Sequence, residues 1–251
     1  MILKWRCNAR GRCRVYSAET NMRSRYFLFV ILTFMLSCVP EKEDQFAIFS
    51  QNYDFDQSTW GWQAGFTDYP VNEAPESDTV YQWNAEYTDA PNVLDGNMMA
   101  LRLSCDNENG DVFMFIKKKV TGLHPNTTYS LVFNVELFSD ATIGNGLFLK
   151  AGASFIEPQK VIHNGRYELN LDKGSDAQSG DDLIALGELG FPYAEQGYIY
   201  SSHDNADAPR RFTARTNNVG EMWLIVGTES TVPGINTIYY REINVIFSAS
   251  N

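Results

Sequence analysis

The feature that most constrains the fold is an alternating stretch near the middle of the chain. Its apolar positions are Tyr129, Leu131, Phe133, Val135 and Leu137, and three of the four residues between them are polar. A period of two places one apolar set on one face of a β-strand. Residues 122–126 supply glycine, proline and asparagine for a turn after a second apolar stretch at 112–120. Residues 111–138 therefore predict two paired strands at the centre of a sheet.

The chain after residue 45 carries the same kind of signal throughout. Short alternating or apolar runs are separated by turn residues such as Asn109-Gly110, and no apolar pattern with helical spacing continues over three turns. Roughly ten strands with a turn every 8–12 residues are typical of two packed antiparallel sheets. Residues 46–251 are therefore predicted to form one all-β domain, a jelly-roll-like antiparallel β-sandwich.

The predicted strand at 112–120 is apolar on both faces at its beginning. Its two sets are Val112, Met114 and Ile116 on one face, and Phe113 and Phe115 on the other. A strand of this kind needs a cover on its outer side as well as a core on its inner side. The aromatic, turn-rich passage at 57–78 is predicted to be a surface excursion that provides this cover.

The start of the chain has the layout of a targeting signal. Residues 22–38 begin with arginines, continue with an uncharged apolar run and end in a small residue before Cys38, as secretory signal peptides do. The apolar run is shorter than the roughly 20 residues that a membrane-spanning helix needs. We therefore predict an upstream extension plus signal peptide at 1–37, with Met22 as the true start, and a short tether at 38–45.

The end of this signal, Met35-Leu36-Ser37-Cys38, resembles the lipobox of bacterial lipoproteins. Met35 departs from the family's usual Leu, Val or Ile. The resemblance implies that the Cys38 thiol carries a diacylglyceryl group, and each buried methylene of such a lipid contributes about 0.8 kcal/mol to membrane binding. The acidic residues that follow are similar to a surface-export signal of some Gram-negative bacteria, so either face of the outer membrane stays open. An ordinary cleaved signal is the alternative.

The net charge excludes some partners. Removing residues 1–37 takes away seven basic residues and one acidic one, which leaves 13 and 30 and a net charge of about −17. Such a surface does not favour nucleic acid, whose phosphates need a basic face, or electrostatic adhesion to anionic lipid. Cys105 ends an alternating apolar run, so we predict a buried core thiol there.

Several short segments carry a resemblance to known families. Turn 122–129 is similar to the tyrosine corner of fibronectin type III domains. Segments 111–115, 150–153, 172–174 and 227–230 resemble uncharacterised bacterial secreted proteins and lipoproteins with a carbohydrate-binding-module-like, galactose-binding-like jelly-roll domain. This resemblance implies a β-sandwich outside the cytoplasm and supplies no reaction.

Five aromatic residues are candidates for binding glycan. They are Trp60, Trp62, Tyr69, Trp83 and Tyr87. A flat ring stacks on the apolar face of a pyranose, and neighbouring polar groups bind its hydroxyls. Packing in the core or in loops is the alternative for each ring, and Trp223, inside an apolar run, is predicted to be a core residue.

The resemblance also implies a structural calcium ion between the first and last strands. Asp54, Asp56 and Glu242 occupy comparable places and offer the oxygen ligands that calcium requires. The alternative is that they are solvated carboxylates at strand ends. No other cofactor is predicted.

The function predicted from the sequence is that of a lipid-anchored cell-envelope protein whose non-catalytic β-sandwich binds glycan. No catalytic histidine or serine motif occurs, so no catalytic residue is assigned. A polysaccharide-acting hydrolase and a structural or adhesive surface lipoprotein are the alternatives.

Overall fold

The computed structural model describes residues 3–7, 13–17, 48–71, 83–91, 97–107, 111–140, 146–190, 197–231 and 233–250. The chain divides into two compact units, Met1–Gln45 and Phe46–Asn251. In the first unit β1 (Leu3–Cys7) and β2 (Cys13–Ser17) pair antiparallel. The predicted signal peptide and tether lie outside the described residues. Within the described ranges, no helix has the length and hydrophobicity needed to cross a membrane.

The second unit is built from antiparallel strands. In chain order they are β3 (Ile48–Asp54), β4 (Gln63–Thr67), β5 (Tyr69–Pro70), β6 (Asn84–Asp89), β7 (Met99–Asp106), β8 (Phe113–Val120), β9 (Thr128–Ser139), β10 (Leu147–Ser154), β11 (Lys160–His163), β12 (Arg166–Leu169), β13 (Leu183–Glu188), β14 (Ile199–Asp204), β15 (Thr213–Arg215), β16 (Met222–Ser230) and β17 (Ile235–Ser250).

These strands form two main sheets and a small third one. The smaller main sheet has the order β13-β10-β16-β8-β4, and the larger has the order β14-β9-β17-β7-β6, with β3 on β17 and β15 on β9. The third sheet has the order β11-β12-β5. Because β7, β8, β9 and β10 alternate between the two main sheets, the chain folds as an antiparallel β-sandwich. The predicted fold class is confirmed.

The main core lies between the two large sheets and follows the predicted alternation. The five apolar positions of the central stretch, 129–137, are all nearly inaccessible on β9. Full burial of one such side chain contributes about 1.5–3 kcal/mol. Cys105 belongs to the same core and is a free thiol. Burial raises its pKa to about 12, so the thiol stays protonated and the predicted core role is confirmed.

A second, smaller core lies on the opposite face of the smaller main sheet. Its members are Phe113, Phe115, Leu169, Leu171, Leu183 and Ile225. The cover is therefore the segment 166–171, which contains β12. The described part of passage 57–78, residues 57–71, supplies no residue of this cluster, so the prediction is wrong for that part, and residues 72–78 lie outside the described residues. Within that passage, β4 pairs with β8 along the sheet edge, and β5 pairs with β12 in the third sheet. The backbone groups at the edge of β8 needed a hydrogen-bonding partner, which alternation alone does not reveal.

A β-bulge on β17 changes which side chains face outward. Tyr240 and Ile243 both point into the core, and the register with β9 shifts between Tyr240 and Glu242. An extra residue at this point leaves Arg241 and Glu242 together on the outer face of the larger sheet. The guanidinium of Arg241 there contacts the carboxylates of Glu136 and Glu242.

The predicted tyrosine corner is present at the start of β9. The backbone N–H of His124 donates to the hydroxyl of Tyr129 at 3.1 Å, and the Tyr129 ring is buried. We expect Tyr129→Phe to lower the free energy of unfolding by about 0.5–1.5 kcal/mol, because the variant leaves this N–H without its partner. Chemical denaturation measures the change. Tyr87→Phe, which removes only a long, exposed hydrogen bond from the hydroxyl to the carbonyl of Asp56 at 3.4 Å, is the control, and an equal loss in both variants would contradict the assignment.

Candidate functional site: an aromatic cleft beside the third sheet

An open cleft of about 760 Å³ lies where β4, at the edge of the smaller main sheet, meets the third sheet. A kink at Asp68 creates this arrangement, because its φ of 69° turns the chain out of the sheet after β4. Aspartate tolerates this left-handed backbone better than most residues. The N–H of Asp68 donates to the carbonyl of Tyr167 at 2.6 Å, and β5 then pairs with β12.

Five aromatic residues line the cleft, and four of them, Phe66, Tyr69, Trp83 and Tyr167, form a continuous group. The ring centroids are 4.7 Å apart for Phe66 and Trp83, 5.0 Å for Tyr69 and Trp83, and 5.1 Å for Tyr69 and Tyr167. Tyr69 is buried, whereas the other three rings are half-buried. The cleft therefore offers ring surface to a ligand above a rigid, packed base.

Two lysines supply the charge at the cleft. Lys117 is bound to the protein, since its ammonium lies 2.6 Å from Glu157 and 2.8 Å from the carbonyl of Pro158. Lys160 donates to the hydroxyl of Tyr69 at 2.7 Å, and its ammonium lies 4.5 Å from the ring centroid of Tyr167. Polar groups thus stand beside ring faces, which is what binding a sugar requires.

The five aromatic candidates from the sequence fall into separate places. Tyr69 and Trp83 meet in the cleft. Trp62 is buried in the main core, and Trp60, 39% exposed, lies near Tyr53 with its indole N–H donating to the carbonyl of Asp54. Tyr87 is exposed on β6. The sequence did not single out Phe66, Tyr167 and Lys160. The third sheet brings Tyr167 and Lys160 to the cleft, and Phe66 reaches Trp83 from β4.

Trp223 differs from its prediction as a core residue. It is half-buried on the outer face of the smaller main sheet, with the ammonium groups of Lys117 and Lys119 at 5.2 and 5.4 Å from its ring centroid. Its neighbours Met222 and Leu224 take the core positions instead. The apolar run on β16 is buried on both faces only further along the strand, where β12 covers it.

The three candidate calcium ligands are mostly engaged by the protein itself. Asp54 and Glu242 are cross-strand partners on β3 and β17. Asp54 accepts the backbone N–H of Asp56, Asp56 accepts the N–H of Met99, and Glu242 lies 3.0 Å from Arg241. In the described part of the chain, no three His, Cys, Asp or Glu side chains are grouped to hold a metal ion. The calcium site therefore stays a prediction.

The outer face of the larger sheet is a second surface with aromatic groups. One row of cross-strand partners crosses it: Tyr200, Phe138, Tyr239, Arg102 and Glu86. Phe138 is buried, and Arg102 pairs with Glu86. The depression beside this row is only about 220 Å³ and is lined by Glu136 and Glu242. Its charges are already paired, so this face is less suited to a ligand than the cleft.

A buried charge network lies behind a polar pocket of about 370 Å³. The ammonium of Lys150, fully inaccessible, lies 2.6 Å from the Glu229 carboxylate, and that of Lys173 contacts both Glu229 and Asp68. Burial raises the pKa of Asp68 and lowers that of Lys150. Burial also acts to lower the pKa of Lys173, but the two carboxylates outweigh it and raise that pKa. Lys150 also donates to carbonyls of loop 172–182, so the network fastens this loop to the sheet.

Comparison with known families found no match: no family model and no curated protein matches this chain. Among solved structures, it is similar to the module TmCBM61 in complex with β-1,4-galactotriose, at 9% identity and a TM-score of 0.37, over 78% of this chain and 97% of that one. It is also similar to Caldicellulosiruptor saccharolyticus CBM27-1 in complex with mannohexaose, at 12% identity and a TM-score of 0.32, over 78% and 97%.

A third similar structure is the glycoside hydrolase domain of Endo-D from Streptococcus pneumoniae R6, at 14% identity and a TM-score of 0.29, over 73% of this chain and 21% of that one. Carbohydrate-binding modules with a β-sandwich fold are thus among the structures that this chain resembles, as the sequence predicted. At TM-scores of this size we draw no conclusion about a ligand from these structures.

Proposed function

We propose that this protein is a non-catalytic glycan-binding protein of the bacterial cell envelope. The observation that carries the proposal is the aromatic cleft beside the third sheet. Its volume of about 760 Å³ lies within the range of roughly 300–1,000 Å³ that is typical of small-ligand pockets. Three half-buried rings, on Phe66, Trp83 and Tyr167, offer apolar faces for pyranose rings. The amide of Gln159 and the ammonium of Lys160 are donors for hydroxyls at the same cleft.

The binding proposal is tested with a glycan array on the purified protein and then with one substitution. We expect Trp83→Ala to weaken binding to the selected glycan at least about 10-fold, because central aromatic residues dominate binding energy. Trp60→Ala, which removes another partly exposed tryptophan outside the cleft, is the matched control and should bind like the wild type. Binding that survives Trp83→Ala but disappears in Tyr239→Ala would place the site on the larger sheet. No binding to any glycan would leave the adhesive or structural alternative.

The anchoring part of the proposal rests on the sequence Met35-Leu36-Ser37-Cys38. We propose a diacylglyceryl-modified Cys38, a 38–45 tether and a location at the outer membrane, on its periplasmic or its outer face. Mass spectrometry of protein from cell membranes should find a mature N-terminus at Cys38 that carries the lipid. Cys38→Ser should release the protein from the membrane fraction. An unmodified N-terminus at any other residue would refute this part and leave glycan binding untouched.

A polysaccharide-acting hydrolase is the second candidate, favoured by one observation. Asp68 and Glu229 are buried carboxylates beside the polar pocket, and burial raises the pKa of Asp68. Most glycosidases use one carboxylic acid as proton donor and a second carboxylate as base or nucleophile. Lys173 contacts both carboxylates here, which fits a structural role better. We expect no reducing ends to form from any bound polysaccharide, whereas release that is lost in Asp68→Asn would establish the hydrolase.

A further inference from the structure

The charge at the aromatic cleft is opposite in sign to the charge of the protein. The chain has 31 acidic and 20 basic residues, yet the charged side chains that line the cleft are Lys117 and Lys160, with no carboxylate among the described lining residues. A neutral sugar needs hydrogen-bond donors and acceptors but no charge of one sign. The positive charge of the lining residues therefore indicates a property of the ligand that the aromatic rings alone do not indicate.

The two lysines differ in how far the protein uses their charge. Lys117 forms an ion pair with Glu157 at 2.6 Å, so its charge is largely compensated. Among the described residues the Lys160 ammonium forms no ion pair, and it donates one side-chain hydrogen bond, to the hydroxyl of Tyr69 at 2.7 Å. An ammonium group has three N–H donors. Lys160 therefore keeps its full charge and has donors left for a ligand at the mouth of the cleft.

The position of Lys160 fixes where an anionic group would bind. Its ammonium is held 4.5 Å from the ring centroid of Tyr167 and 5.3 Å from that of Tyr69. A pyranose that stacks on the neighbouring rings of Trp83 and Phe66 would bring a ring substituent toward this ammonium. A hydrogen bond between two charged groups is stronger than one between neutral groups, so an anionic substituent gains most from this place.

The negative charge of the whole protein does not prevent an anionic group from binding beside Lys160. At physiological salt the Debye length is about 8 Å, so repulsion from carboxylates elsewhere on the surface is largely screened. A direct contact beside partly buried rings is screened much less. Local attraction at Lys160 can thus exceed the distant repulsion.

We infer that the cleft selects anionic polysaccharides, whose sugar rings carry carboxylate or sulfate groups. The inference rests on the proposed function and names the class of ligand that the same site binds. Aromatic rings bind the sugar face, and Lys160 binds the anionic substituent. Lys117 is a positioning residue that stays bound to Glu157 and Pro158 and holds the cleft wall in place.

The test compares pairs of polymers that share one sugar backbone, with one charged and one neutral member in each pair. Binding of the purified protein to polygalacturonate and to its methyl ester is measured at about 150 mM salt, and dextran sulfate and dextran form the sulfated pair. We expect the charged member of one pair to bind about 10-fold more tightly than the neutral member. A preference in the first pair identifies carboxylate as the substituent, and a preference in the second identifies sulfate.

Variants of one residue complete the test. Lys160→Gln should remove the preference, Lys160→Arg should keep it, and Lys119→Gln, an exposed lysine outside the cleft, should not change it. Equal binding of charged and neutral polymers, or a preference that persists in Lys160→Gln, would overturn the inference and leave glycan binding intact. Failure to bind any of the four polymers would overturn the inference too, and the array of neutral glycans then decides the proposed function separately. A thermal unfolding curve for each variant confirms that it is folded.

Discussion

Glu229→Ala is expected to lower the free energy of unfolding by about 3–5 kcal/mol, the cost of leaving a buried charge without its partner. The Lys150 side chain is fully inaccessible, and its ammonium lies 2.6 Å from the Glu229 carboxylate. In the variant, the ammonium keeps the two carbonyl oxygens of Lys173 and Gln178 but has no counter-charge within the sheet. Urea denaturation at pH 7 measures the loss.

The pH dependence of this variant adds a second readout. Burial already lowers the pKa of Lys150, against the attraction of Glu229, and removing Glu229 lowers it further. A group with a lowered pKa in the folded state destabilises the protein at low pH, and this penalty is relieved as pH rises toward the unfolded-state pKa near 10.4. Glu229→Ala should therefore regain part of its lost stability between pH 7 and 10.

A double variant is the control for the buried ion pair. Glu229→Ala combined with Lys150→Met removes both charges, and replacing a buried pair by apolar groups is often neutral. We expect the double variant to recover most of the stability lost in Glu229→Ala. A single variant as stable as the wild type, or a double variant no more stable than the single one, would contradict the buried ion pair between Lys150 and Glu229.

Phe247→Ala is expected to lower the free energy of unfolding by about 3–5 kcal/mol, because it removes a large, fully buried ring from the main core. Phe247 is fully buried on β17, stacks on Phe49 with centroids 4.8 Å apart, and meets the edge of Tyr129 at 6.1 Å. Since β17 pairs with both β3 and β9, neighbouring strands on both sides lose contacts around the cavity. Equilibrium unfolding in urea checks the value.

The preceding residue provides the matched control. Ile246 is 43% exposed on the opposite face of the same strand. Ile246→Ala changes the same segment of backbone without opening a cavity, so we expect a loss below about 1 kcal/mol. Similar losses for the two variants would mean that the alternation on β17 does not decide which face forms the core.

Much of the sandwich was predictable because burial follows a period of two in most strands. The alternating residues 129–137 and the thiol of Cys105 lie in the core as expected. The tyrosine corner was also predictable from the turn at 122–129, because its hydrogen bond joins residues only five positions apart. Local patterns of this kind need no knowledge of distant partners.

The predictions that were wrong all concern contacts between segments that are distant in the sequence. The cover of Phe113 and Phe115 comes from 166–171, in the segment that contains β12, whereas β4, within passage 57–78, pairs along the edge of β8. Trp223 lies in an apolar run, but it sits half-buried on the outer face beside the ammonium groups of Lys117 and Lys119. Alternation identifies two faces of a strand without identifying which segment packs on each.

The candidate site was predictable only in part for the same reason. Tyr69 and Trp83 were expected to bind glycan as aromatic residues, and they do meet at one cleft. Tyr167 and Lys160 join them through the hairpin of β11 and β12 and the pairing of β12 with β5. The turn residues Asn164-Gly165 predict the hairpin, but the sequence carries no simple signal for its pairing with β5. The left-handed backbone at Asp68 is the local device that makes this pairing available.

The most direct test of glycan binding at the aromatic cleft is a crystal structure of the protein with the tightest-binding oligosaccharide from the array. We predict that one sugar ring stacks on Trp83 or Tyr167, within hydrogen-bonding distance of Lys160. Oligosaccharide bound on the larger sheet beside Tyr239, with the cleft unchanged, would contradict the account.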